Sequence, residues 1–78
     1  MKLIVGKCYK ATCESDNRGY WWVNINNGHD ASEKYFYGTP FIVLNFEHTG
    51  YALELKIFCC DKILFAQFDP QSFKFEEL

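Results

Sequence analysis

Phe41-Ile42-Val43-Leu44-Asn45-Phe46 is apolar on both alternating faces and crowded with β-branched and aromatic residues. Such a run suits a strand covered on both sides better than one half-exposed to water. Glu47-His48-Thr49-Gly50 follows as a turn signal, and residues 51–58 then alternate cleanly. Tyr51, Leu53, Leu55 and Ile57 share one face, and Ala52, Glu54 and Lys56 share the other, so the first set is core and the second faces solvent. The pair reads as a central hairpin. One face of residues 41–46 meets the core, and the other is expected to lie beneath the segment 26–40.

Working outward from that hairpin, residues 2–5 read as a short strand closed by Gly6, and residues 7–13 as a weakly alternating one. Glu14-Ser15-Asp16-Asn17-Arg18-Gly19 is a polar turn cluster. Residues 20–25 form a strand with Trp21, Val23 and Ile25 inward and Tyr20, Trp22 and Asn24 outward. Asn26-Asn27-Gly28 is a turn signal, and after it the chain reads two ways. Asp30 and Glu33 resemble a capping box, with Gly38 and Pro40 as stop signals, which predicts a short helix over 31–37. Alternatively Tyr35-Phe36-Tyr37 is an aromatic strand. The caps at both ends favour the helix.

Downstream, Cys59-Cys60-Asp61-Lys62 makes a turn and residues 63–68 a strand. Asp69-Pro70-Gln71-Ser72 breaks it as a 3₁₀ turn, and Phe73-Lys74-Phe75 resumes in extended form. The expectation is an all-β domain over residues 1–78, a small barrel of five to six antiparallel strands with the short helix as its one exception. Seventy-eight residues are too few for a seven-stranded sandwich, and closure removes exposed strand edges.

Composition narrows the function classes. Ten acidic residues against eight basic ones give a net charge of −2, without the basic excess that phosphate neutralisation needs. Near the amino terminus only Leu3, Ile4 and Val5 form an apolar run, shorter than a signal peptide or membrane span requires. The expectation is a cytoplasmic protein with reduced thiols. Eight Phe, five Tyr and two Trp exceed what one small core can hold, so some aromatic rings must lie on the surface.

The ending resembles the close of a Src-homology-3-like barrel, where a short turn carrying Pro precedes a last strand that opens on an aromatic residue. Tyr37-Gly38-Thr39-Pro40-Phe41-Ile42-Val43-Leu44 is similar to a segment of many small phage and bacterial proteins of this barrel type. The resemblance implies the architecture and a phage-type accessory protein that modulates a host protein. It carries over no ligand-binding residue, because Trp21-Trp22 stand before the Asn-Asn-Gly turn, away from the place of the Pro-reading groove.

Four cysteines and two histidines raise the question of metal. Cys8 and Cys13 are five apart and Cys59 and Cys60 adjacent, so neither pair shows the Cys-x₂-Cys spacing of structural zinc; Cys13, His48 and Cys59 are the distant set that folding would have to gather. No Gly-x-Ser-x-Gly elbow or phosphate-binding glycine loop occurs, and no catalytic residue or cofactor is expected. The surface aromatics carry the functional expectation. It is a non-catalytic protein-binding face of Tyr20, Trp22, Tyr35 and Tyr37, rimmed by Arg18, Asp30 and Glu33, on a monomer or homodimer. Base stacking on a single-stranded nucleic acid is the alternative reading, and a metal-stapled domain the next.

Overall fold

In the computed structural model the described residues are 3–25, 32–50 and 52–78, and they form seven strands. These are β1 (Cys8–Cys13), β2 (Tyr20–Asn24), β3 (Ser32–Phe36), β4 (Phe41–Thr49), β5 (Ala52–Cys59), β6 (Lys62–Phe68) and β7 (Phe73–Glu77). One antiparallel sheet holds all of them in the order β3-β2-β6-β5-β4-β1-β7. The expectation of five to six strands is corrected to seven, and the helix over 31–37 is corrected to a strand over its described part. Lone capping signals lose here to the ladder that β2 offers, in which Trp21 faces Tyr35 and Val23 faces Glu33. The Asn-Asn-Gly turn signal, Asp30 and Tyr51 lie outside the described residues.

The opening hexapeptide lies within β4, an internal strand between β5 and β1. Its alternation is interrupted. Val43 faces Ile57 and Asn45 faces Lys56, so Leu44 is an extra residue, a β-bulge. Unbroken alternation would put Phe46 outside beside Ile42 and Leu44. The bulge instead turns Phe46 onto the face of Leu55, and Asn45 takes the outer position, its Oδ1 accepting from the Phe46 N–H at 2.9 Å. β4 then runs through Glu47, His48 and Thr49, so of the expected turn residues only Gly50 lies beyond the strand.

The sheet curls into a half-barrel. A single flat sheet is only about 10 Å thick, whereas the molecule is nearly isometric at 28 × 28 × 27 Å. Curling brings β3 and β1 together although β2, β6, β5 and β4 separate them in the sheet. The Gly38 N–H donates to the Ala11 carbonyl at 3.1 Å, and the Ala11 N–H donates to the Tyr35 hydroxyl at 3.0 Å. Gly38 supports that approach with φ of 88°, a left-handed conformation open to glycine at little cost.

Tyr9, Ala11, Val23, Tyr35, Phe41, Val43, Leu55, Ile57 and Phe68 are almost fully enclosed. The rings interlock edge to face: Phe68 with Phe73 at 4.6 Å, Phe68 with Phe75 at 5.4 Å and Tyr35 with Phe41 at 5.7 Å. Each such pair adds about 0.5–1.5 kcal/mol beyond area burial, so rings let a short chain hold a core. The expected inward set Leu53, Leu55 and Ile57 is buried, whereas Ile25, just past the end of β2, is exposed. Residues 3–5 are not a strand. Leu3 is buried, and a turn follows in which the Lys7 N–H donates to the Ile4 carbonyl at 3.2 Å.

The outer side of β4 is open. Ile42 faces Phe58, Phe58 faces Ile63, and the three make an exposed apolar ladder with Leu44 nearby in sequence. The shelter expected from the segment 26–40 is therefore corrected for its described part: β3 forms the edge of the sheet, and Ile42 and Leu44 are exposed.

Candidate protein-binding face

The hairpin of β2 and β3 presents three large rings to solvent. Tyr20 and Trp22 share the outer face of β2 by two-residue alternation, and the register sets Phe36 opposite Tyr20 and Lys34 opposite Trp22. Trp22 is 49% exposed and Phe36 58%. The centroids of Tyr20 and Trp22 are 5.6 Å apart, and those of Tyr20 and Phe36 are 6.3 Å apart, all edge to face. The Lys34 ammonium lies over this cluster, 4.6 Å from the Tyr20 centroid and 5.7 Å from that of Trp22.

Arg18 closes the other end. Its guanidinium carbon is 5.6 Å from the Tyr20 centroid and 5.5 Å from that of Trp21. Asp16 holds it there. Arg18 Nε donates to Asp16 Oδ1 at 3.0 Å and Nη2 to Oδ2 at 2.9 Å, while the Arg18 backbone N–H also donates to Oδ1. The Tyr37 hydroxyl donates to Asp16 Oδ2 at 2.5 Å. The Arg18 hydrogen bonds, with help from Tyr37, hold the Asp16 carboxyl well below the usual carboxylate range. Burial and the bond to Asp16 push the Tyr37 phenol well up. A short loop is thus pinned so that a planar cation edges the aromatic face.

Of the expected binding residues, Tyr20, Trp22 and Arg18 come together. Tyr35 is a correction: at 1% exposure it is core. Its hydroxyl accepts from the Ala11 N–H and donates to the Thr39 carbonyl at 2.8 Å, and burial pushes the phenol up to about 12. Tyr37 is also off the face, half-buried against the core and tied to Asp16. Glu33 points inward and pairs with Lys62, so it does not rim the rings. Asp30 lies outside the described residues. Phe36 is the residue that sequence reasoning missed.

No family model, curated protein or solved structure matches the chain. The face must be read from its own chemistry.

All four cysteines are free, and among the described residues no group of three or more His, Cys, Asp or Glu side chains gathers to hold a metal. The set Cys13, His48 and Cys59 is therefore not assembled. The nearest sulfurs, those of Cys59 and Cys60, are 3.7 Å apart, and burial pushes the Cys59 thiol up, away from the thiolate that metal or a nucleophilic reaction needs.

Proposed function

We infer that the chain is a non-catalytic protein-binding module whose contact surface is the aromatic face of Tyr20, Trp22 and Phe36, bordered by Lys34 and Arg18. The observation that carries it is the exposure of Trp22 and Phe36 beside Tyr20 on the paired strands β2 and β3. Trp, Tyr and Arg are the residue types that concentrate binding energy, and rings held by neighbours lose little entropy on docking. The ladder of Ile42, Phe58 and Ile63 is exposed as well, but it holds none of the Trp, Tyr and Arg side chains that concentrate binding energy.

The likeness to Src-homology-3-like barrels and to phage accessory proteins belongs to the same proposal. What supports it is the turn after β6, where the Asp69 carbonyl accepts from the N–H groups of Ser72 and Phe73, each at 3.0 Å, before β7 opens at Phe73.

The test is affinity capture with the intact chain beside Trp22→Ala and Phe36→Ala variants. A partner retained by the wild-type chain and lost by both folded variants is the expected result. Equal retention by both variants removes the face from the account.

A further inference from the structure

β3 is one end of the sheet, and its ladder to β2 fixes which backbone groups it leaves free. The Tyr37 N–H donates to the Gly19 carbonyl at 3.1 Å, one step beyond the facing pair Tyr20 and Phe36. Facing pairs in an antiparallel ladder alternate between those that exchange hydrogen bonds and those that do not. Tyr35 and Glu33 therefore bond across to β2, while Ser32, Lys34 and Phe36 turn their N–H and C=O groups to the open edge. The Phe36 carbonyl is taken by the Thr39 N–H at 3.1 Å. Ser32 and Lys34 keep both groups, and Phe36 its N–H, along an edge that pairs with no other strand among the described residues.

A groove of about 470 Å³ runs along this edge. All five residues of β3 line it, and its far wall is the end of the β5–β6 hairpin, with Cys59, Lys62 and Leu64. Tyr35, Cys59 and Leu64 give it an apolar floor, and the Glu33–Lys62 ion pair spans it. The opposite edge of the sheet differs. β7 carries Lys74, Glu76 and Glu77, and charges of this kind discourage added strands.

We propose that the open edge of β3 is a strand-addition site for an extended segment of a partner protein. The segment places small apolar side chains inward over Tyr35, Cys59 and Leu64 and a carboxylate outward beside Lys34. The inference rests on the protein-binding reading above and names the chemistry of the partner. An extended backbone matches a row of free N–H and C=O groups at strand spacing, and alternate side chains supply the selectivity. A second copy of β3 matches poorly. The antiparallel register that overlaps the whole strand sets Lys34 against Lys34, one neighbouring register sets Glu33 against Glu33, and the other pairs Lys34 with Phe36, whose carbonyl the Thr39 N–H already takes. Like charges directly opposite destabilise a pair.

The test uses the full chain and a displayed library of short extended peptides, each with a glutamate between β-branched residues. Selected peptides should bind the wild-type chain, bind Lys34→Ala only a fewfold less, and bind Lys34→Pro at least about tenfold less, because proline removes one edge donor without touching the β2 ladder. In the wild-type complex, amide exchange should slow at Ser32 and Lys34 and stay unchanged at Glu33 and Tyr35. That readout decides alone if Lys34→Pro does not fold. Peptides that tolerate Lys34→Pro and leave the Ser32 and Lys34 amides unprotected overturn the proposal, as does a library with no binder. So does a dimer of the free chain that protects those amides. Binders indifferent to Lys34→Pro but lost on Trp22→Ala leave the aromatic face standing and remove strand addition alone; binders indifferent to both remove both.

Discussion

The Lys34 ammonium lies over the rings of Tyr20 and Trp22, so a cation from β3 holds the exposed aromatics of β2 in place. A cation over an exposed ring is worth about 0.5–1 kcal/mol, enough to fix ring geometry but not the fold. Lys34→Ala should lower unfolding free energy in urea by no more than about 1 kcal/mol and shift the tryptophan emission of the native state. An unchanged spectrum would show that Lys34 does not sit on the rings.

Tyr35 ties stability to alkaline pH. Its phenol is pushed up to about 12 from 10.0 by burial, so the folded state favours the neutral form. A folded-state value above the unfolded one gives stability that is complete below pH 10 and lost as pH rises through 12. The loss from this group approaches about 3 kcal/mol. Burial of the Cys59 thiol acts in the same direction. Urea midpoints measured between pH 8 and pH 12 should fall across that window. Tyr35→Phe should cost about 1–3 kcal/mol at pH 8, since the Ala11 N–H and Thr39 carbonyl lose their partner, and should flatten the alkaline fall.

The β5–β6 turn carries strain that substitution can relieve. Cys60 and Asp61 have φ of 54° and 63°, a type I′ pair in which neither residue is glycine. Cys60→Asn combined with Asp61→Gly installs the preferred pair and should raise stability by about 1 kcal/mol. Thermal unfolding checks it, and a lower midpoint would mean that the Cys60 side chain contributes more than its backbone costs.

The aromatic face could stack bases, but four of the seven Lys and Arg side chains among the described residues are held in ion pairs. Lys10 pairs with Glu76, Arg18 with Asp16, Lys62 with Glu33 and Lys74 with Glu14. Fluorescence anisotropy with labelled single-stranded oligonucleotides should show no salt-dependent binding at low ionic strength. A clear salt slope would restore the nucleic-acid reading.

Strand positions were legible where alternation was one-sided, as in Leu53, Leu55 and Ile57 against Glu54 and Lys56. Around β3 the pattern is symmetric. Glu33 and Tyr35 occupy one face and Lys34 and Phe36 the other, one charge and one ring on each. What settles the choice is the set of partners waiting for Tyr35 from elsewhere in the chain: the Ala11 N–H for its hydroxyl and Phe41 and Phe68 for its ring. The sequence alone therefore does not separate Tyr35 from Phe36 as the ring that faces solvent. The bulge at Leu44 was illegible for a related reason: every residue near it but Asn45 is apolar, so a change of phase leaves little trace. At β2 the alternation did put Val23 inside and Trp22 outside.

The adjacent tryptophans offer the most direct test of that face. Trp21 packs on Phe73 at 5.0 Å and donates from Nε1 to the Gln67 carbonyl at 3.2 Å, whereas Trp22 stands half in solvent. Urea unfolding of the two alanine variants, with partner capture on the same samples, separates scaffold from contact surface. Trp21→Ala should lose about 3 kcal/mol; Trp22→Ala should stay within about 1 kcal/mol of wild type yet lose the partner. A Trp22→Ala chain that unfolds like the Trp21 variant, or that is stable and still retains the partner, would contradict the account.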